Sequence, residues 1–355
     1  MKVLKSLFVQ LFTGANIVTI LLLWACCLVT YISPAAHPRL ALLTLTFPAF
    51  LLVNVLFILF WLVFKVKRVW IPLVGLMACA SFVRDYLPLN IFTKGKAVED
   101  STLSILTYNT HSFGGAEAVQ EDGTNIVCKY LANSNADIIC LQESSNKQDF
   151  TDEMVGKGYE FAFRKEFLLY SRLHIIEVDT LALEGKPCHA MRALLQDGSD
   201  TLMLLSVHLQ SNLLSPEMKE AYREALRKHE SDSLSKELSP IVQLLSEALP
   251  QRAAQADSLA SLVASWLPKP VILCGDFNDT PISYTHRVLT RQLTSAYRQS
   301  GNGLGFTFHE KGFPVRIDHI LFDGHTWESS SSQVVKHITC SDHFPIRTKL
   351  RRKQP

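Results

Sequence analysis

Asp276 and Asn278 stand two residues apart in the stretch VILCGDFNDTP, Val271 to Pro281. On extended backbone that spacing turns both side chains to one face. A carboxylate that only accepts, beside an amide, suits a divalent metal, an attacking water or a phosphate oxygen. The same residues also make an ordinary Asp/Asn/Pro turn after a strand. Other polar groups of the same kind close or interrupt apolar runs: Asn109 in LSILTYNT, Glu143 in ADIICLQES, His208 in TLMLLSVHLQS, Asp318 in RIDHIL, and Asp342 beside His343 in SDHFPI. Taken singly, each has a plain structural reading. A carboxylate at a strand end can be a surface cap, and a lone strand histidine is more often a satisfied core group than a catalyst.

The elements that must position these groups are legible from hydrophobic pattern. Val271 to Cys274 is too short for a helix and rich in branched residues, which predicts a buried strand broken by Gly275. Similar runs predict strands over 103–110, 136–144, 167–176, 201–211 and 316–321, with a last strand after Ile346. Ser171 and Arg172 interrupt the third of these. Helices are predicted over 125–132 and 283–296. Between them, 211–267 is long, helical and mixed in charge. It starts with Pro216 in the first-turn position, continues through Leu234 to Leu245, and has a third piece opened by Arg252, Gln255 and Leu259. Acids and bases alternate there, so it is not a basic nucleic-acid stripe.

The chain has 355 residues and a formal net charge of +2, without the basic excess of a dedicated nucleic-acid binder. Its positive mean hydropathy is caused by the N-terminal region. Residues 1–93 read as a membrane region with three predicted transmembrane helices: Leu11 to Ile32, Arg39 to Phe64 and the shorter Val69 to Phe82. Residues 94–101 read as a polar linker, and 102–355 as a domain of short apolar strands alternating with amphipathic helices. Lys2 and Lys5 precede the first span, and Lys65, Lys67 and Arg68 separate the second from the third. The positive-inside rule therefore places those segments in the cytoplasm. Three crossings put everything after Arg84 outside; if the third segment only lay on the surface, the side would reverse. The five cysteines after residue 101 are odd in number and lack metal spacing, so they are not a disulfide framework, which mildly opposes an oxidising compartment.

Six stretches in order, LTYNT, DIICLQES, SVHLQS, GDFNDTP, RIDHIL and SDHFPI, resemble the endonuclease/exonuclease/phosphatase superfamily, the deoxyribonuclease-I-like fold. The resemblance covers roughly Thr102 to Leu350. It implies an α/β four-layer sandwich with two packed mixed β-sheets and a site at one edge, preceded here by the all-α transmembrane region. It implies Glu143 as the principal metal ligand, with Asn109 and Asp342 close to the same ion, and Mg²⁺ or Mn²⁺ as that ion because the ligands are all oxygens. By the same resemblance Asp276 orients or deprotonates water, Asn278 holds a phosphate oxygen, and His208 faces the leaving group. His343 is the second acid/base or phosphate contact, with Asp318 fixing its tautomer. The His-Leu pair at His208 is similar to deoxyribonuclease I, sphingomyelinases and phosphoinositide phosphatases rather than abasic-site endonucleases.

The expectation is therefore an integral, multi-pass membrane protein with an extracytoplasmic, metal-dependent hydrolase domain. Its phosphoester substrate is expected to be a phospholipid or lipid-linked phosphate, with the bilayer as partner through the N-terminal helices. An extracytoplasmic endo- or exonuclease, with nucleic acid as substrate, is the competing enzyme class. A catalytically silent binding or scaffold protein is the third, weakened because every matched position is filled. No protein partner follows from the sequence.

Overall fold

The computed structural model describes residues 2–91, 102–184, 190–212, 214–228, 231–310 and 313–353. The expected linker and Cys188 fall outside them. The apolar N-terminus forms helix α1 (Lys2–Val29), a short turn α2 (Pro38–Ala41) led by Pro38, a 3₁₀ segment Leu42–Thr46, and helix α3 (Phe47–Phe64). Two helical segments, Ser6–Val29 and Pro38–Phe64, are long and apolar enough to cross a membrane. The expected third span is a broken helix, α4 (Trp70–Ala78) and α5 (Ala80–Tyr86), within a pair bent by 71°. Contacts give the directions. Phe12 stacks on Phe60 at 4.8 Å and, further along α1, Asn16 meets Asn54 earlier in α3, so the two helices are antiparallel. Arg68 donates to Thr13, and Trp24 Nε1 donates to the Gly75 carbonyl at 2.9 Å, so α4 runs alongside α1 in the same sense. Inside the bundle the amides of Asn16 and Asn54 bond at 3.1 Å, and Trp61 Nε1 also donates to Asn16.

The remainder alternates strands and helices. In order they are β1 (Thr102–Asn109), α6 (His111–Gly114), α7 (Ile126–Asn133), β2 (Ile138–Gln142), α8 (Gln148–Gly156), β3 (Glu160–Arg164), β4 (Phe167–Ser171), β5 (Ile175–Leu181), β6 (Ala190–Asp197) and β7 (Asp200–His208). Then come α9 (Pro216–Lys228), α10 (Ser231–Trp266), β8 (Val271–Asp276), α11 (Tyr284–Thr290), β9 (Thr294–Ser295), α12 (Ala296–Ser300), β10 (Asp318–Phe322), β11 (Trp327–Val334) and β12 (Ile346–Arg352). They make two six-stranded sheets, β11-β12-β1-β2-β4-β3 and β5-β6-β7-β8-β10-β9. The β1/β2 and β7/β8 pairs are parallel and the other pairs antiparallel, so both sheets are mixed. Ile105, Leu169, Met191, Leu204 and Ile320 pack in the core between the sheets, together with the free, buried thiols of Cys140 and Cys274. The outer face of one sheet is covered by apolar residues of α7 and α8, and that of the other by α10 and α11. These are the four expected layers, of the deoxyribonuclease-I-like kind.

Three local readings change. The run expected as one strand over 167–176 is β4 and β5, which lie in different sheets. Ser171 Oγ bonds both the amide and the carbonyl of Leu173, which turns the chain between them. The second and third helical pieces expected after Leu234 are one helix of 36 residues that runs through Pro240 and Pro250. The helix expected to reach Ala296 stops at Thr290, and β9 follows; its start is capped by Ser283 Oγ, which accepts from the His286 amide at 3.1 Å.

The sheets rest on one end of the helical bundle. Ile282 is buried in a cluster with Leu23, Cys26, Cys27, Phe47, Leu51 and Cys79. The Arg287 guanidinium lies 3.5 Å from the Tyr31 ring centroid. Arg298 pairs with Asp85, and Arg316 donates to the carbonyls of Asp85 and Tyr86. Asn90 Nδ2 donates to the Gly301 carbonyl at 2.7 Å. This end carries the α1-to-α3 connection and is opposite the basic segment at Lys65 to Arg68.

Candidate active site

Register brings the polar groups to one edge. In the second sheet His208 pairs with Asp276 across the parallel β7/β8 ladder, and Asp276 pairs with Asp318 across the antiparallel β8/β10 ladder. Asp318 thus opens its strand rather than sitting in its middle. In the first sheet Asn109 is the last residue of β1, level with Gln142 at the end of β2. Glu143 follows immediately and takes φ 48°, while Asn278 takes φ 51°. Such left-handed backbone is uncommon outside glycine, and here it turns each chain as it leaves the strand.

The two sheets meet at Asn109. Its Nδ2 donates to Glu143 Oε1 at 3.0 Å and to Asp276 Oδ2 at 3.2 Å. His208 Nε2 lies 3.7 Å from Glu143 Oε1 and 3.8 Å from Asp276 Oδ2. His343 Nδ1 is 2.8 Å from Asp318 Oδ2, and its Nε2 is 3.6 Å from Asp276 Oδ2. Asp276 Oδ1 accepts the Asn278 amide at 2.8 Å, and Asn278 Nδ2 donates to the Leu209 carbonyl at 3.1 Å. Asp342 joins through Ser341, whose hydroxyl reaches the Asn109 carbonyl at 2.9 Å and Asp342 Oδ1 at 3.4 Å. His319 points away as strand alternation requires, with Nε2 3.1 Å from the Asp279 carbonyl and its ring against Phe277 and His286.

The site is closed at its base and open at Glu143. Asp276, Asp318 and His343 are buried, whereas the Glu143 side chain keeps 34% of its exposure. Burial raises the Asp276 carboxyl above the usual range; His343 and His208 oppose the rise, and Asp318 adds to it. Burial pushes His343 down, but the charges of Asp318 and Asp276 and the Asp318 hydrogen bond outweigh it and take it up to about 10. His208 is likewise pushed down by burial and carried up to about 9 by the Glu166 hydrogen bond and the charges of Asp276, Glu166 and Glu143. Two imidazoles are therefore held protonated against buried carboxylates.

Asp276, Asp318 and His343 each offer a ligand atom, and these atoms lie within 4.8 Å of one another. Asp318 Oδ1 is buried without a hydrogen-bond partner, and Glu143 leaves its carboxylate partly open. Protonated His343 has no lone pair to give, but the carboxylates at this edge, Glu143 with its open oxygens and Asp318 with an unsatisfied buried one, suit a divalent cation.

Two neighbours escape the sequence reading. Glu166, in the turn between β3 and β4, reaches His208 Nδ1 at 3.2 Å. With β3 unrecognised, that turn was invisible, and a single carboxylate among Arg164 and Lys165 carries no pattern. His111 Nδ1 lies 3.3 Å from Glu143 Oε2. It opens a run of three non-glycine residues with positive φ, His111 to Phe113, strain of the kind that concentrates at functional sites. Its place two residues after Asn109 was the available signal.

Residues 106–343 match the Endonuclease/Exonuclease/phosphatase family, and residues 9–86 match a domain of unknown function. No curated protein matches the chain. A family member from Bacteroides thetaiotaomicron is similar in structure, at 16% identity and TM-score 0.50 over 70% of this chain and 97% of that one. The human nocturnin catalytic domain with bound sulfate is similar at 16% identity and TM-score 0.50, over 72% and 95%. Truncated Caenorhabditis elegans TDP2 is similar at 16% identity and TM-score 0.49, over 70% and 98%. These likenesses are ones of fold. The family match runs from within β1 to the histidine of SDHFPI, taking in every strand end that lines the cleft, and so the chain belongs to the endonuclease/exonuclease/phosphatase family of phosphoester-hydrolysing enzymes.

Proposed function

We propose that this protein is a membrane-anchored, divalent-metal-dependent phosphoesterase whose substrate is a phospholipid or a lipid-linked phosphate. The observation that carries the lipid reading is the seat of Ile282, six residues beyond Asp276 in the chain, among the ends of the membrane helices. That seat supports a cleft held near the headgroup layer, where a lipid phosphoester is concentrated and a soluble polymer is not.

Glu143, Asn109 and Asp342 would hold the ion, Mg²⁺ or Mn²⁺, which when bound neutralises charge on the phosphoryl group. The rest is assigned to this chain's own groups. Asp276 Oδ2, facing Asn109 and both imidazoles, orients water and accepts its proton. Asn278 contacts a phosphoryl oxygen. Asp318 holds Nδ1 of His343, so Nε2 faces the cleft and donates to the phosphoryl oxygens. Glu166 does the same for His208, whose Nε2 is then placed to protonate the departing oxygen.

The bundle supports an orientation. The basic residues Lys65 to Arg68 lie at the end away from the catalytic domain, with Arg68 bonded to Thr13 near the start of α1. With α4 and α5 returning alongside α1 as a third crossing, the positive-inside rule supports an extracytoplasmic catalytic domain, residues 102–355, after a membrane region of 1–93. The test is a substrate screen of the full-length protein in lipid nanodiscs with Mg²⁺, against phospholipids, inositol phosphates, and single- and double-stranded DNA. Product from a lipid phosphoester is expected. DNA cleavage with no lipid product would replace this reading with a nuclease on the same face of the membrane.

A further inference from the structure

Helix α10 sends one cation into the core behind the cleft. Arg252 is 1% exposed, and its Nη1 donates to the Asn278 carbonyl and, at 3.3 Å, to the Gln210 carbonyl. Its Nε lies 3.9 Å from Asp279 Oδ2 and has no hydrogen-bond partner of its own. One turn along the helix, Gln255 Oε1 accepts the Gln210 amide at 2.9 Å. The carbonyls that Arg252 joins belong to the two segments leaving β7 and β8. Within the sheet those strands are held by their ladder, which ends at His208 and Asp276. Beyond it the chains separate, linked directly by the Leu209 amide to the Asp276 carbonyl at 3.0 Å and by Asn278 Nδ2 to the Leu209 carbonyl.

We propose that Arg252 is a positioning residue, a buried crosslink that continues the β7/β8 pairing past the end of the sheet and fixes where Asn278 presents its side chain. The physical case is one of cost. Burying a guanidinium is expensive unless its charge and its hydrogen bonds are used, and an apolar side chain of similar size commonly packs as well. Here the donors go to the backbone of two cleft segments. Asn278 needs both anchors, because at φ 51° its amide is held by Asp276 Oδ1 while its carbonyl has Arg252 as a donor. Both bonds come from Nη1, and lysine, a compact point charge on a different stem, would keep the charge without that reach.

The proposal rests on Asn278 belonging to the cleft and not on the identity of the substrate. Two variants of the full-length protein, Arg252→Lys and Arg252→Met, separate its parts. Hydrogen exchange of the peptide covering Val271 to Ile282 needs no substrate. Amides of Phe277 to Thr280 should exchange roughly 10- to 100-fold faster, the range expected for losing one charged hydrogen bond, while those of β8 stay protected. With the best phosphoester from the screen, kcat per folded enzyme should fall by about 100-fold, as a displaced contact group does, with KM little changed. Lysine should restore part of both losses. In an Asn278→Ala background, Arg252→Lys should lower kcat no further. Wild-type exchange in both variants, a kcat loss that only tracks the folded fraction, or additive losses with Asn278→Ala would overturn the proposal. If Arg252→Met does not fold, Arg252→Lys decides alone. A wild-type protein inert on every phosphoester would overturn the functional reading, and the exchange result would still decide this one.

Discussion

Replacing His343 or Asp318, singly and together, tests whether the buried pair acts as one unit. The His343 Nδ1 to Asp318 Oδ2 contact is 2.8 Å, and the two side chains keep only 6% and 1% of their exposure. At that burial neither group has water to substitute for its partner, so losing either leaves the other uncompensated. General acid–base groups contribute roughly 100- to 10,000-fold, or about 3 to 5 kcal/mol of barrier. Asp318→Asn keeps shape but removes the charge that holds Nδ1, so it frees the tautomer of His343. His343→Gln removes the ring. Each single change should lower kcat by a factor in that range. Independent groups would multiply their losses, giving roughly 10⁴-fold at the least in the double variant, while a single unit should give little beyond the larger single loss. The gap between the two outcomes is about 100-fold or more, far outside assay error. The assay is turnover of a chromogenic phosphodiester, or of the lipid found in the screen, by full-length protein in nanodiscs with Mg²⁺. Thermal melts of each variant correct for folded fraction. Multiplicative losses would refute the pairing, and His319→Ala, on the opposite face, should be milder than either.

Glu143→Ala should abolish metal-dependent turnover and leave the melting temperature nearly unchanged, because the side chain is a third exposed; turnover that persists in chelator or in the variant removes Glu143 from the ion. Glu166→Gln tests the support of His208 through pH. The folded pKa, raised to about 9, stands above the ordinary 6.5, so this histidine's contribution to stability is complete below pH 6.5 and is lost as pH rises through about 9. In chelator, the melting-temperature gap between wild type and variant should therefore be widest near pH 6 and close by pH 9; a gap that does not change with pH contradicts the pairing. A topology reporter fused after Pro355 should register outside the cytoplasm, and a cytoplasmic signal would reverse the orientation.

Much of the cleft was legible because its residues end strands. Asn109, Glu143, His208 and Asp276 each close a buried apolar run, and parallel β1/β2 and β7/β8 bring those ends to one edge. Asp318 and His343 were legible for the company they keep in RIDHIL and SDHFPI, and the structure places them in contact. What was not legible depends on tertiary context. Glu166 reaches His208 only because β3 and β4 form a hairpin beside β2, and β3 has no clean alternation to announce it. The join between β4 and β5 looked like one interrupted strand, since a two-residue polar break does not reveal a change of sheet. The second and third helical pieces are one helix, α10, which continues through Pro240 and Pro250, as tertiary packing can override a local breaker. Arg252 read as an ordinary helix-face residue because nothing in a sequence shows that a helix points a cation inward.

The seating of the sheets on the bundle bears on whether the two halves are separable modules. A chain begun at Thr102 would strip Ile282 of its apolar neighbours, Arg298 of Asp85, and buried Arg316 of two of the three carbonyls that accept from it, leaving only Leu304. Arg316 lies two residues from Asp318, and Ile282 four from Asn278. Each would leave a bare apolar side chain or a guanidinium short of acceptors beside residues of the site, and the relaxation would spread to both. The N-terminal helices are in this sense a wall of the catalytic half's own foundation, and a freed fragment would be a poor stand-in for the enzyme even where it remained in solution.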